Sequence, residues 1–212
     1  MIFNPKIEQM PREELKKLQS ERLVAQVKRM DEKVELFRSR RNEKGLTPDD
    51  IHGIEDLHKL PFLTKADLRE AYPYGLLAKP LSECVRIHST SGTTGKRVVA
   101  FYTHNDIDLW DNCCARAIVA VGGTSEDVCQ VCYGYGLFTG GLGLHYGAEK
   151  LGATALPVSS GNTNRQIQLL QDFGSSILCC TPSYAMFIGE TLRDMGIDPK
   201  TLKLRSGIFG AE

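Results

Sequence analysis

The chain has 212 residues, 42% of them hydrophobic, with 26 basic side chains set against 26 acidic ones. That length supports one sizeable α/β core with a smaller helical part, and the balanced charge excludes the broad basic footprint of a general nucleic-acid binder. No apolar run approaches the eighteen or so residues of a membrane span, and MIFNPKIEQMPREEL lacks the apolar core of a signal peptide, so the sequence reads as a cytoplasmic protein without a membrane partner.

Residues 1–70 carry 29 of the 52 charged side chains and the remaining 142 residues carry 23. From Pro11, Leu15, Leu18, Leu23, Val27, Met30, Val34 and Phe37 recur at helical spacing, which predicts one long amphipathic helix closing on the basic run Arg38–Arg41. Those cations are read as partners of the helix dipole rather than as a nucleic-acid patch. Two shorter helices are expected to open at Thr47 with Pro48 and at Thr64, where Asp67 completes a capping box. This places a helical subdomain over residues 1–80.

After Pro80 the pattern turns β-rich. VRIHST and VVAFYT read as strands flanking a glycine- and hydroxyl-rich loop, and a helix is expected from about Thr103 to Gly122. Strands VCQVCY, TALPV, SILCC and SGIFG then alternate with helices through LHYGAEKLG, from about Asn162 to Phe173, and from about Pro182 to Met195. Glycines 122, 152, 174 and 196 fall where helix C-terminal caps belong. Strands alternating with helices of this length predict an α/β fold, a mostly parallel sheet with flanking helices over residues 81–212. The chain stops directly after a strand, which suggests a truncated domain; its unpaired edge leaves open a homodimer, as an artefact of the cut.

The seven cysteines raise the question of a metal or redox site. Four are adjacent pairs, Cys113 with Cys114 and Cys179 with Cys180, and Cys129 and Cys132 stand three apart in an expected strand, where they point to opposite faces. They are read as small core residues, and no metal ligands are assigned.

The loop His88–Val99, HSTSGTTGKRVV, holds two glycines, five hydroxyl side chains and Lys96. Its spacing is not that of a Walker A loop, and it runs into a strand rather than a helix. Glycines that let backbone N–H groups approach an anion, hydroxyl donors and a lysine nevertheless suit phosphate.

HSTSGTTGK resembles the phosphate loop of the adenylate-forming superfamily. YGYGLFTGGLGLHYGAEKLG (Tyr133–Gly152), CTPSYA, the terminal IFGAE and LPFLTKADLREAYPYG resemble the phenylacetate-CoA ligase family, over most of the chain. Arg97 departs from that family, which usually has proline there, and it is read as solvated rather than as a second phosphate cation. The resemblance implies an ATP-dependent ligase that converts an aryl carboxylate, phenylacetate, to an acyl adenylate and transfers it to coenzyme A, with Mg2+ on the polyphosphate. It also implies that this chain is an incomplete, poorly active part of such an enzyme. The alternatives are an adenylate-forming enzyme for another carboxylate, or a non-catalytic nucleotide-binding module.

On this resemblance Ser91, Gly92, Thr93, Thr94, Gly95 and Lys96 grip the triphosphate, with Lys96 also the catalytic cation. Gly210, Ala211 and Glu212 line the adenine side. Tyr133, Tyr135 and Phe138 offer aromatic surface to the acid beside Gly134, Gly136, Gly140 and Gly141, whose missing side chains leave room for a ring. His145 lies on an expected helix and is read as packed or exposed rather than catalytic. The glutamate for magnesium, the ribose aspartate and the adenylation lysine of the family match nothing within residues 1–212.

Overall fold

A computed structural model describes residues 1–92 and 95–211. Thr93, Thr94 and Glu212, each expected at the nucleotide, lie outside the described residues. By contacts the chain forms two compact units, Pro5–His104 and Met1–Asn4 with Asn105–Glu212.

In the Pro5–His104 unit, a short helix α1 (Pro5–Glu8) precedes α2 (Arg12–Lys33) and α3 (Glu35–Glu43). The single long helix expected from periodicity is therefore two. Val34, at φ −121° and ψ 104°, leaves the helical region between them. Its side chain enters the core with Val27, Phe37 and Ile51. The break costs few hydrogen bonds: the Val34 amide still donates to the Met30 carbonyl, and Arg38 donates to the Asp31 carbonyl at 2.7 Å, satisfying an orphan acceptor of α2.

Arg40 and Arg41 stand in the last turn of α3, where cations suit the helix dipole, and both also make specific ion pairs. Arg41, buried, pairs with the Asp31 carboxylate at 2.7 Å, and Arg40 reaches Asp67 at 2.5 Å. Asp67 is the capping-box residue of α4 (Lys65–Glu70), accepting from the Thr64 amide and hydroxyl at 2.7 Å each. These bonds from Thr64, with the Arg40 guanidinium, hold its carboxyl down at about 2. The Thr47 capping box opens only one 3-10 turn, Pro48–Asp50.

Strands β1 (Cys84–Ser89) and β2 (Val99–Thr103) pair antiparallel, with Ser89 opposite Val99, as the expected hairpin around the loop. The Tyr74 and Phe101 rings meet at 5.6 Å, and the hairpin falls in the same unit as the helices. The division by contacts falls at residue 104, whereas the boundary expected at residue 80 follows the turn to β-rich sequence after Pro80.

The second unit is an α/β/α sandwich. Its elements are α5 (His104–Ala120), β3 (Val128–Val131), α6 (Gly140–Leu151), β4 (Thr154–Leu156), α7 (Thr163–Asp172), β5 (Ile177–Cys180), α8 (Pro182–Asp194) and β6 (Ser206–Phe209). The strands are parallel in the order β4-β3-β5-β6. Gly122, Gly152, Gly174 and Gly196 all take φ between +59° and +87°, the left-handed conformation of a helix C-terminal cap.

Strand alternation sorts the cysteines. Cys129 and Cys179 pack with Ile118 of α5 and Ala148 of α6, whereas Cys132 and Cys180 pack with Ile167 and Leu170 of α7 and Ile188 and Leu192 of α8. Neighbouring cysteines therefore serve opposite faces of the sheet. Burial lifts the thiols of Cys129, to about 11, and Cys132, to about 12, which suits core packing rather than reactivity.

Candidate functional site

The two groups of residues expected to bind substrate lie in different units. In the hairpin, the Thr90 amide donates to the Val98 carbonyl at 3.0 Å, and the Val98 amide returns to the Thr90 hydroxyl at 3.1 Å. Beyond this closure, the Gly95 amide reaches the Gly92 carbonyl at 3.2 Å. Gly92 takes φ +73° and Gly95 φ +130°, so glycine is required by the backbone itself. Ser91 and Lys96 are exposed beside them. An exposed lysine and the Ser91 hydroxyl beside two positive-φ glycines are the groups that suit an anion.

In the sandwich, β3 and β5 are the neighbours from which the chain departs in opposite directions, β3 to β4 and β5 to β6. Their C-terminal ends form the switch point at which open α/β sheets bind ligands. Tyr133 lies two residues beyond the end of β3. Its hydroxyl donates to the Cys180 carbonyl at 2.5 Å and accepts from the Gly210 amide at 3.1 Å, which ties the ends of β3, β5 and β6 together. The hydroxyl is committed to main-chain groups, so what Tyr133 offers a ligand is ring surface. Gly210 is brought to the switch point by this bond. Ala211 beyond it stands at φ +70°, a conformation that costs an alanine about 1 kcal/mol.

The glycines of the stretch divide by environment. A Cβ on Gly141 would sit 2.9 Å from the Gly134 carbonyl oxygen, and one on Gly140 would touch the Tyr133 ring at 3.4 Å. These two let the start of α6 close on the preceding turn. The nearest neighbour of a Cβ on Gly134 is the Ser160 hydroxyl at 3.9 Å, and Gly136 has nothing within 4 Å, so open space lies beside these two instead. Phe138 is 59% exposed on the same turn. The sequence expects a helix through LHYGAEKLG, and α6 begins four residues earlier, at Gly140; within it Gly143 fits against Trp110 and Gly147 against Cys114 of α5.

Tyr135 heads a chain of polar contacts that the sequence reading missed. Its hydroxyl meets His145 Nδ1 at 3.3 Å, and His145 Nε2 meets Glu149 at 3.1 Å. The i, i+4 spacing of His145 and Glu149 on a helix was the available signal. Burial pushes the Tyr135 phenol up, so the hydroxyl stays protonated at neutral pH. A polar groove of about 570 Å³ lined by Asn162, Asn164, Arg165, Gln168, Gln171 and Met195 touches none of these residues. No group of three metal-ligating side chains converges among the described residues.

The fold is that of adenylate-forming acyl-CoA ligases. The crystal structure of an open conformation of 2-hydroxyisobutyryl-CoA ligase, in complex with 2-HIB-AMP and CoA, matches 98% of this chain and 50% of its own at a TM-score of 0.90 and 28% identity. A second structure of that ligase, in the thioesterification state, matches 97% and 45% at 0.90 and 30%. By sequence the chain is a homologue of the phenylacetate-coenzyme A ligases. It is 52% identical to that of Pseudomonas putida over 93% of this chain and 45% of the relative. It is 48% identical to that of Escherichia coli K12 over 100% and 49%. The chain spans about half the length of these curated relatives. No family model matches it.

Proposed function

We propose that the chain carries the nucleotide- and acid-binding part of an ATP-dependent ligase that activates phenylacetate and passes the acyl group to coenzyme A. What supports this most is the kinship with phenylacetate-coenzyme A ligases along nearly the whole chain, joined to an aromatic, glycine-rich turn at the switch point of the sheet. The reaction has two displacements. A carboxylate oxygen attacks the α-phosphorus of ATP and pyrophosphate leaves; the thiol of coenzyme A then attacks the acyl carbonyl and AMP leaves.

In this reading the hairpin loop, from Ser91 through Gly92, Thr93, Thr94 and Gly95 to Lys96, holds the pyrophosphate portion of ATP. Lys96 offsets charge that builds on the leaving group. Tyr135, Phe138 and the Tyr133 ring flank the aryl group, with Gly134 and Gly136 leaving the space it occupies; Gly140 and Gly141 shape the turn. Gly210, Ala211 and Glu212 line the adenine. The described residues bring together no group of three side chains for Mg2+.

The test is pyrophosphate exchange into ATP by this chain with phenylacetate, benzoate, indoleacetate and 2-hydroxyisobutyrate. Because the chain spans half the length of its relatives, exchange is expected to be far below that of intact ligases, with phenylacetate highest. A rate equal to theirs contradicts the incomplete-enzyme reading. A ranking led by 2-hydroxyisobutyrate, the acid of the similar solved structures, replaces the substrate assignment.

A further inference from the structure

Arg97 stands immediately after Lys96, where the family resemblance leads one to expect proline. Its side chain is not simply solvated. It folds back across the loop, with its Cγ 2.7 Å from the point a Cβ on Gly92 would occupy and its Nε 3.4 Å from the same point. From there Nη1 donates to the Thr90 carbonyl at 3.3 Å and lies 3.5 Å from the Ser89 hydroxyl. The guanidinium is thus drawn over the turn by acceptors on the strand opposite, while the residue as a whole stays exposed.

Three physical consequences follow. A guanidinium has five N–H donors, and the contacts above, those with described residues, engage Nη1 alone. The planar fork matches two oxygens of one phosphate better than a lysine can. A neutral carbonyl is also a weaker acceptor than a phosphate oxygen, so the Thr90 contact is one that a polyphosphate can replace. Gly92 makes this possible, since any side chain at that position would displace Arg97.

We propose that Arg97 is a second cation of the polyphosphate loop, parked on the Thr90 carbonyl and transferred to phosphate oxygens when a polyphosphate binds. This rests on the loop reading given under the proposed function. It adds a residue that this chain holds in place of proline, and with it a bidentate anchor beside the point charge of Lys96.

The experiment is calorimetric titration of the 212-residue chain with inorganic tripolyphosphate at low and at physiological ionic strength. Variants are K96A, R97A, R97Q and R97K, with K17A as a remote cation control. R97A and R97Q are both expected to weaken binding by roughly tenfold and to flatten its salt dependence, with R97K recovering part of the loss. K96A weakens binding too, and K17A does not.

R97Q can still donate to the Thr90 carbonyl, so retention of affinity by R97Q makes Arg97 a strap and overturns the proposal. If K96A loses affinity while R97A keeps it, the proposal fails and the loop reading stands. If tripolyphosphate does not bind, or binds without regard to K96A, both fail. Loss in R97A and R97Q without any rescue by R97K also counts against a role through charge.

Discussion

At the scale of single residues, two side chains do more than their types suggested. Tyr133 spans three strand ends through one hydroxyl. Tyr133→Phe is expected to cost about 1–3 kcal/mol in urea unfolding, since it removes the hydroxyl's bonds to the Cys180 carbonyl and the Gly210 amide. An unchanged midpoint would show that the strand ends hold without it. Asp67 is held at about 2 against an ordinary 3.8, first by its bonds from Thr64 and then by Arg40. A depressed carboxylate contributes stability that is complete above the unfolded value and is lost as pH falls towards the folded one. The melting temperature of the parent should therefore fall between about pH 4 and pH 2 more steeply than that of Asp67→Asn. At neutral pH the variant should already be the less stable. The capping roles of Thr64 and Asp67 were legible from their spacing. The positions of Arg41, Arg97 and His145 were not, because a long polar side chain declares its charge in the sequence but not which backbone turn brings an acceptor within reach.

At the scale of elements, the alternation of strands and helices was legible from hydrophobic runs and from glycines at helix ends. The interruption at Val34 was not. MDEKVELF contains no glycine or proline, and the break is set by burial of Val34 beside Phe37 and by Arg38 supplying a donor to the end of α2. The start of α6 was hidden for the opposite reason. Glycines read as loop, yet here they are what allows close helix packing. A Cβ on Gly147 would fall 2.4 Å from Cys114 Cβ and 2.9 Å from its carbonyl carbon, so Gly147→Ala should destabilise by about 1–3 kcal/mol. Gly189, exposed in α8 with nothing within 4 Å of its Cβ position, should behave oppositely. Gly189→Ala should stabilise by about 0.5–1 kcal/mol. Thermal unfolding of the two variants side by side checks the pair; a shared sign contradicts the packing account.

At the scale of the whole molecule, the chain combines a helical unit that carries a donor-rich hairpin with an α/β/α sandwich that carries an aromatic turn at its switch point. Composition located the turn to β-rich sequence at residue 80, but the division by contacts at residue 104 depends on pairings such as Tyr74 with Phe101, which no local pattern reveals. The central claim is that the turn after β3 receives an aryl acyl group joined to a nucleotide. The most direct measurement is equilibrium binding of phenylacetyl-sulfamoyl adenosine, a stable mimic of the acyl adenylate, compared with sulfamoyl adenosine lacking the acyl group. The account predicts one site per chain, at least about tenfold tighter for the acylated compound through burial of the phenyl ring. That advantage should be lost in Phe138→Ala. Equal affinity for the two compounds, or an advantage indifferent to the aromatic turn, would contradict it.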